Sequence, residues 1–303
     1  MVIISTIFSL SSGHILGVWL GLELNMLSFI SFSIQSKNFN EVEAGLKYFL
    51  IQALGSGFWL LGSFLFYLSM GSWFLFETIV DFNNLIGLEN IFCMAKVIMM
   101  WGLFMKLGAF PIYFWVPSVM NEMSWFSCII LATWQKFIPL ILLSYLIGPE
   151  TFFLGIIVSV MSSLVGGVGG LNQTRLRVLM AYSSIGHLGW MIGLMYMSWI
   201  GVMVYYGVYF VVSLSVFLFL WLFEFSSFMQ VTGWRMWGKS MLILFSLNFF
   251  SLAGLPPFLG FMSKWVALQA MVNSGSYFLG CGLLVGALMN LYYYTIVVMN
   301  VSV

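Results

Sequence analysis

Residues 251–265 read SLAGLPPFLGFMSKW, and residues 105–117 read MKLGAFPIYFWVP. Each stretch interrupts a long apolar run with glycine and proline and places a lysine, Lys264 or Lys106, beside the interruption. Proline removes a backbone donor and breaks the helical hydrogen-bond ladder. Unwound backbone at membrane depth is tolerated only inside protein or beside a water-filled cavity. A charge at the bilayer centre costs about 2.5–3.5 kcal/mol on insertion scales, so a lysine kept there marks a pathway or a pairing.

The rest of the chain supplies the membrane setting. Its 303 residues are 62% hydrophobic and only 6% charged, with a mean hydropathy of +1.07. A soluble domain runs near 45–50% apolar and about 25% charged. Apolar stretches near 20 residues, each able to cross a hydrocarbon core of about 30 Å, recur from end to end. The chain therefore reads as an all-α polytopic membrane protein and not as a β-barrel, whose strands would be short and alternating.

Helices are expected over about residues 1–12, 14–35, 46–69, 90–109, 123–147, 151–170, 174–197, 200–225, 240–269 and 276–300, the first too short to span alone. The loops support this count. Lys37, Lys47, Arg175, Arg177, Arg235 and Lys239 fall in one alternating set, and Glu77, Asp81, Glu89 and Glu150 in the other. Lys/Arg bias sets orientation, so the first set faces the cytoplasm-like side, the matrix in a mitochondrion. Split into two fives, residues 1–148 and 149–303, each set has its broken helix fourth. An odd repeat length inverts the second copy. Interrupted helices in corresponding halves point to a transporter site; two ordinary proline kinks are the plainer reading.

Other lone polar groups lie in the spans. Glu23 sits mid-helix in the second, Lys136 in the fifth and His187 in the seventh. Burial disfavours their charged forms and a nearby opposite charge counters it, so such groups can pass protons with water between them. The blander readings are a structural carboxylate partner for Lys136 and a hydrogen-bonded core residue at His187. Gly13, Gly17 and Gly21 form a ridge suited to close helix packing. Lys96 reads as snorkelling to the acidic surface, Glu122 as lying at the basic surface, and Glu224 as interfacial or paired.

Several chemistries find no support. The three cysteines make no CxxC pair and suggest neither disulfide nor metal spacing. VGGVGGLNQ at 165–173 lacks the strand and lysine of a phosphate loop. The start has neither a secretory nor an import signal. A net charge of +1 gives no reason to expect nucleic acid.

GLELN at 21–25, EAGLKYFLIQA at 43–53, KLGAFPIYFWVPSV at 106–119, TWQKFIPL at 133–140, GGLNQTRLRVLMAYSSIGHLGWM at 169–191 and GLPPFLGFMSKW at 254–265 together resemble the NADH dehydrogenase subunit 2 family. These are antiporter-like membrane subunits of mitochondrial respiratory complex I. The resemblance covers about residues 15–300. It implies two inverted five-helix bundles, each with a discontinuous helix, in the mitochondrial inner membrane. It implies that Glu23 partners Lys106, that Lys136 and His187 connect the axis, and that Lys264 is the lysine of the second broken helix, all acting in proton transfer. It implies no cofactor in this chain: NADH, FMN, iron–sulfur clusters and ubiquinone belong to partner subunits. The other membrane-arm subunits and membrane lipids are the implied partners. The first helix is shorter than is usual in the family, and a final helix is not seen after YYYTIVV at 292–298. The rival readings are a stand-alone cation/proton antiporter of similar fold and a structural spacer.

Overall fold

The computed structural model describes residues 1–34, 39–75, 77, 89–225, 227 and 239–302. Lys37, Asp81 and Arg235, on which part of the loop-charge pattern rests, lie outside the described residues. The described chain is nearly all helical. Its elements are α1 (Val2–Ser11), α2 (Ile15–Ser33), α3 (Phe39–Met70), α4 (Glu89–Leu107), α5 (Trp115–Glu122), α6 (Trp125–Ala132) and α7 (Trp134–Leu146), then α8 (Phe152–Gly170), α9 (Leu176–Met195), α10 (Trp199–Leu222), α11 (Lys239–Ala253), α12 (Leu259–Asn273) and α13 (Tyr277–Ser302). A 3-10 turn, Pro149–Thr151, precedes α8. Among the described residues, eight helical segments are long and apolar enough to cross a membrane, and Val2–Ser11 and Ile243–Ala253 are shorter apolar helices.

Two expected helices are each divided. The stretch expected over 123–147 is α6 and α7, which meet at Thr133. The carbonyl of Thr133 accepts the Tyr206 hydroxyl at 3.1 Å and that of Ala132 accepts the Tyr209 hydroxyl at 3.2 Å. These long-range caps satisfy carbonyls at a helix end that would otherwise lack donors. The stretch expected over 240–269 is α11 and α12, separated by residues 254–258. After α4, Gly108 takes a left-handed φ of 70°, and after α11, Gly254 takes 77°. Glycine adopts this conformation without a Cβ clash, which is why it ends helices. Each break also holds a cis X–Pro bond, Phe110–Pro111 and Pro256–Pro257.

The chain forms two compact units, Met1–Gly108 with Gln135–Leu154 and Ala109–Trp134 with Gly155–Val303. In the first, α1 lies along α2 and α3 along α4. A Cβ on Gly21 would fall 2.5 Å from Ser9 Cβ, and one on Gly102 would fall 2.6 Å from the Gly55 carbonyl oxygen. These glycines let the helices approach more closely than side chains allow. In the second unit, α10 packs on α6, α9, α11 and α12, α5 packs on α9, and α13 packs on α9, α11 and α12.

Candidate functional site

In the first unit the site is built around the middle of α2 and the C-terminal end of α4. Lys106 lies in the last turn of α4 and is 7% exposed. A cation there meets the negative end of the helix dipole. The C-terminal carbonyl of Lys106 itself accepts Gln52 Nε2 at 3.2 Å, so a neutral amide caps the helix end. Gly55 lets α3 pass close by, because a Cβ there would lie 3.1 Å from Lys106 Cγ. Glu23 interacts electrostatically with Lys106 and with the buried Tyr48. Its Oε1 is buried with no hydrogen-bond partner among the described residues. A carboxylate oxygen in that state is costly unless a cation or water serves it.

Lys136, 3% exposed, sits in the first turn of α7. Its neighbour Gln135 pairs with Asn25 through both amides: Asn25 Nδ2 donates to Gln135 Oε1 at 2.7 Å, and Gln135 Nε2 donates to Asn25 Oδ1 at 3.3 Å. The helix that bears Glu23 is thereby fixed to the helix that bears Lys136. Sequence reasoning missed Asn25, Gln52 and Gln135. The signal was present, since each is an amide inside an apolar span, where polar groups bridge helices.

The expectation for Lys96 is corrected. Lys96 does not snorkel: it is 3% exposed, donates to Glu150 Oε1 at 2.8 Å and lies 4.5 Å over the Phe92 ring. A carboxylate brought back by the turn at Pro149–Thr151 makes burial cheaper than reaching for the surface. Glu224 is exposed in a left-handed turn, φ 52°, after α10.

In the second unit Lys264, on the second turn of α12, reaches back across the break. Its Nζ donates to the Ala253 carbonyl at 2.6 Å. This carbonyl ends α11, so Lys264 itself caps that helix. The side chain lies against Gly254, where a Cβ would come within 2.9 Å of both Cδ and Nζ. Gly260 makes the return possible, because a Cβ there would fall 1.7 Å from the Ser251 carbonyl oxygen.

His187 is buried on α9, with Nδ1 2.9 Å from the Tyr205 hydroxyl; the tautomer decides which donates. The Tyr209 ring centre lies 5.1 Å from that of His187. A cavity of about 10 Å³ is lined by His187, Tyr209, Ser251, Gly260 and Ser263 among others. That is room for about one water, held between His187 and the break that positions Lys264. The structure thus puts Glu23 within electrostatic reach of Lys106, and His187 on a cavity shared with the Lys264 break. Among the described residues, no three His, Cys, Asp or Glu side chains come together as a metal site.

Residues 12–290 match the family described as NADH:quinone oxidoreductase/Mrp antiporter, TM. The chain is 39% identical over 295 residues to NADH-ubiquinone oxidoreductase chain 2 of Anopheles gambiae, covering 97% of this chain and 82% of that one. It is 36% identical over 300 residues to the chain 2 of Lumbricus terrestris, covering 98% and 84%. Among solved structures, it superposes on a chain of respiratory complex I from Thermus thermophilus with a TM-score of 0.86 at 26% identity, covering 98% of this chain and 68% of that one. A chain of the Mrp complex from Dietzia gives a TM-score of 0.83 at 16% identity, over 99% and 58%. At that identity the likeness is one of fold alone.

Proposed function

We propose, from the premise that this chain belongs to the NADH-ubiquinone oxidoreductase chain 2 family, that it translocates protons as a membrane-arm subunit of NADH:ubiquinone oxidoreductase in the mitochondrial inner membrane. The proton carriers, in chain order, are Glu23 with Lys106, then Lys136, His187 and Lys264. The observation that carries the reading is the buried lysine, Lys106, in the last turn of α4 beside a Gly/Pro break, with the half-buried Glu23 holding an oxygen that no donor serves among the described residues. A charged group inside an apolar span is retained for function or pairing, and here one oxygen of the carboxylate has no hydrogen-bond partner among the described residues.

The chain's residues contribute position and charge. Glu23 holds Lys106 in the field of its negative charge. A change of field from a neighbouring subunit weakens that hold, and Lys106 gives up its proton. His187 passes a proton through the water-sized cavity towards the break at Lys264. Redox chemistry on NADH, FMN, iron–sulfur clusters and ubiquinone takes place in partner subunits. In this reading residues 1–148 and 149–303 are two inverted repeats, each with one Gly/Pro break; α5 and α6 belong to the first repeat and pack within the second unit. The stand-alone antiporter reading is the weaker one, because identity of 34–39% over almost the whole chain is to chain 2 proteins.

The test is Lys106→Met in the assembled complex, reconstituted in vesicles. Methionine keeps the length and the apolar stem. NADH-driven proton pumping is expected to fall by roughly two orders of magnitude, the scale of a positioned proton-transfer group, with assembly intact. Normal pumping in that variant would sink the assignment.

A further inference from the structure

Asn25 lies on α2 two residues after Glu23, and Gln135 lies on α7 one residue before Lys136. Their amides form a closed pair with one bond in each direction, 2.7 Å from Asn25 Nδ2 and 3.3 Å from Gln135 Nε2. Hydrogen bonds are directional. Two in one ring fix both the distance between two helices and their rotation about their own axes. Apolar contact is non-directional and fixes rotation poorly. Hydrogen bonds between membrane helices add little to stability on average. The pair is therefore better suited to placing groups than to holding the fold.

The rest of α2 shows which group is placed. Gly17, Gly21 and Asn25 recur at four-residue spacing and form one row. A Cβ on Gly17 would fall 2.9 Å from Ser12 Cβ, and one on Gly21 2.5 Å from Ser9 Cβ, so the row faces α1 and its cap. Ser9 and Ser12 share a cavity with Ile141, Leu142 and Tyr145 of α7, so α7 runs past the same short helix. Asn25, 3% exposed, ends the row 3.5 Å from Ser5 Oγ. Ser5 gives its proton to the Val2 carbonyl at 2.7 Å, which leaves the Asn25 amide to Gln135. Glu23 points about 200° round the helix from Asn25, within electrostatic reach of Lys106. A turn of α2 that slackens the amide pair therefore also moves the Glu23 carboxylate.

We propose that Asn25 and Gln135 are positioning residues for proton transfer: their closed amide pair sets the rotation of α2 and holds Glu23, within reach of Lys106, at a fixed place relative to Lys136. Neither amide titrates, so neither carries the proton. Each acts through the ionisable group beside it, Asn25 through Glu23 and Gln135 through Lys136. The role deepens the proton-transfer reading given above and rests on it.

The experiment compares two double variants in the assembled complex, reconstituted in vesicles beside Lys106→Met, with proton flux measured per assembled complex. Asn25→Leu with Gln135→Met replaces both partners by apolar groups of similar shape, a change that is close to neutral for a fold. Assembly is expected to stay near normal. Flux is expected to fall roughly tenfold, because misplacing a reacting group by about 1 Å can cost about 10²-fold. Asn25→Gln with Gln135→Asn keeps both amides and only moves one methylene across the pair, and it is expected to restore most of the flux. A bridge that merely joined the helices would let the apolar pair pump normally. Normal flux in the apolar pair, with Lys106→Met inactive, overturns the positioning role and leaves the axis standing; so does an exchanged pair that pumps no better than the apolar one. Normal pumping in Lys106→Met overturns the axis itself. If either double variant does not assemble, Gln135→Asn alone, which shortens one arm by a methylene, decides by the same flux. A fall of roughly threefold or more, on the same positional argument, supports the role, and unchanged flux overturns it.

Discussion

At the break after α4 the lysine comes before the interruption, and at the break after α11 it comes after. Both breaks expose the last carbonyls of a helix, which have no partner within it. At the first, Gln52 caps the carbonyl of Lys106 and leaves the lysine's charge facing the field of Glu23. At the second, Lys264 is itself the cap on Ala253, supported by the negative end of the α11 dipole. In the proposed reading the first lysine answers to the Glu23 carboxylate and is switched by a change of charge. The second answers to fixed backbone. A neutral amine still has N–H groups to donate, so in the proposed reading Lys264 hands on a proton without releasing its helix. Under the proposed proton-transfer reading, one break would serve control and the other passage.

The most severe way to disturb this contrast is Gly260→Ala. The new Cβ would lie 1.7 Å from the Ser251 carbonyl oxygen, which is backbone and cannot rotate away. Overpacking costs about 1–3 kcal/mol where neighbours can shift, and more where they cannot. Assembled complex on native gels is expected to be almost absent. Gly57→Ala, whose Cβ would meet nothing within 4 Å, is the control and should assemble normally. Equal assembly of the two variants would show that the return of α12 across its break is not constrained as described.

A smaller effect separates Lys96 from Lys106, the proposed proton carrier, on the same helix. Lys96 and Lys106 are both buried on α4, but Lys96 is fully paired with Glu150 at 2.8 Å and lies away from the break. Removing one partner of a buried pair costs about 3–5 kcal/mol, because the other charge is left unpaired, whereas removing both is milder. Lys96→Met should therefore lower the amount of assembled complex, and Lys96→Met with Glu150→Gln should recover much of it. Proton flux per assembled complex should stay unchanged in both. A loss of flux in the double variant would place Lys96 on the pathway.

Much of this contrast could be read from the chain, and the unread parts share one cause. Gly108, Pro111, Gly254, Pro256 and Pro257 announce both breaks locally, and lone lysines in apolar runs announce themselves. The division at Thr133 carries no such local mark. Its exposed carbonyls are served by Tyr206 and Tyr209 from α10, more than seventy residues on. The Lys96–Glu150 and Asn25–Gln135 pairs are likewise made between distant segments. Periodicity and breaker residues report on the chain's own neighbourhood, while the partner of a buried polar group is chosen by tertiary packing. A solitary lysine read without its partner looked like a surface residue; supplied with Glu150, it is an interior one.

The finest test of the contrast is Glu23→Gln, which removes one charge and keeps shape. Without the carboxylate, a protonated Lys106 loses its electrostatic support while Gln52 still caps the helix, so the fold should stand. Loss of about 1.4 kcal/mol of interaction corresponds to a tenfold change in the protonation equilibrium. Pumping is expected to fall by about that factor, well short of Lys106→Met, and Glu23→Asp should restore part of it. No comparable neutralisation exists at the second break, where the partner is the Ala253 carbonyl. Placing a carboxylate near Lys264 would therefore be the converse experiment, and it should hinder passage by binding the proton too well. Should Glu23→Gln pump at the normal rate, the carboxylate does not control Lys106, and the two breaks would differ in geometry alone.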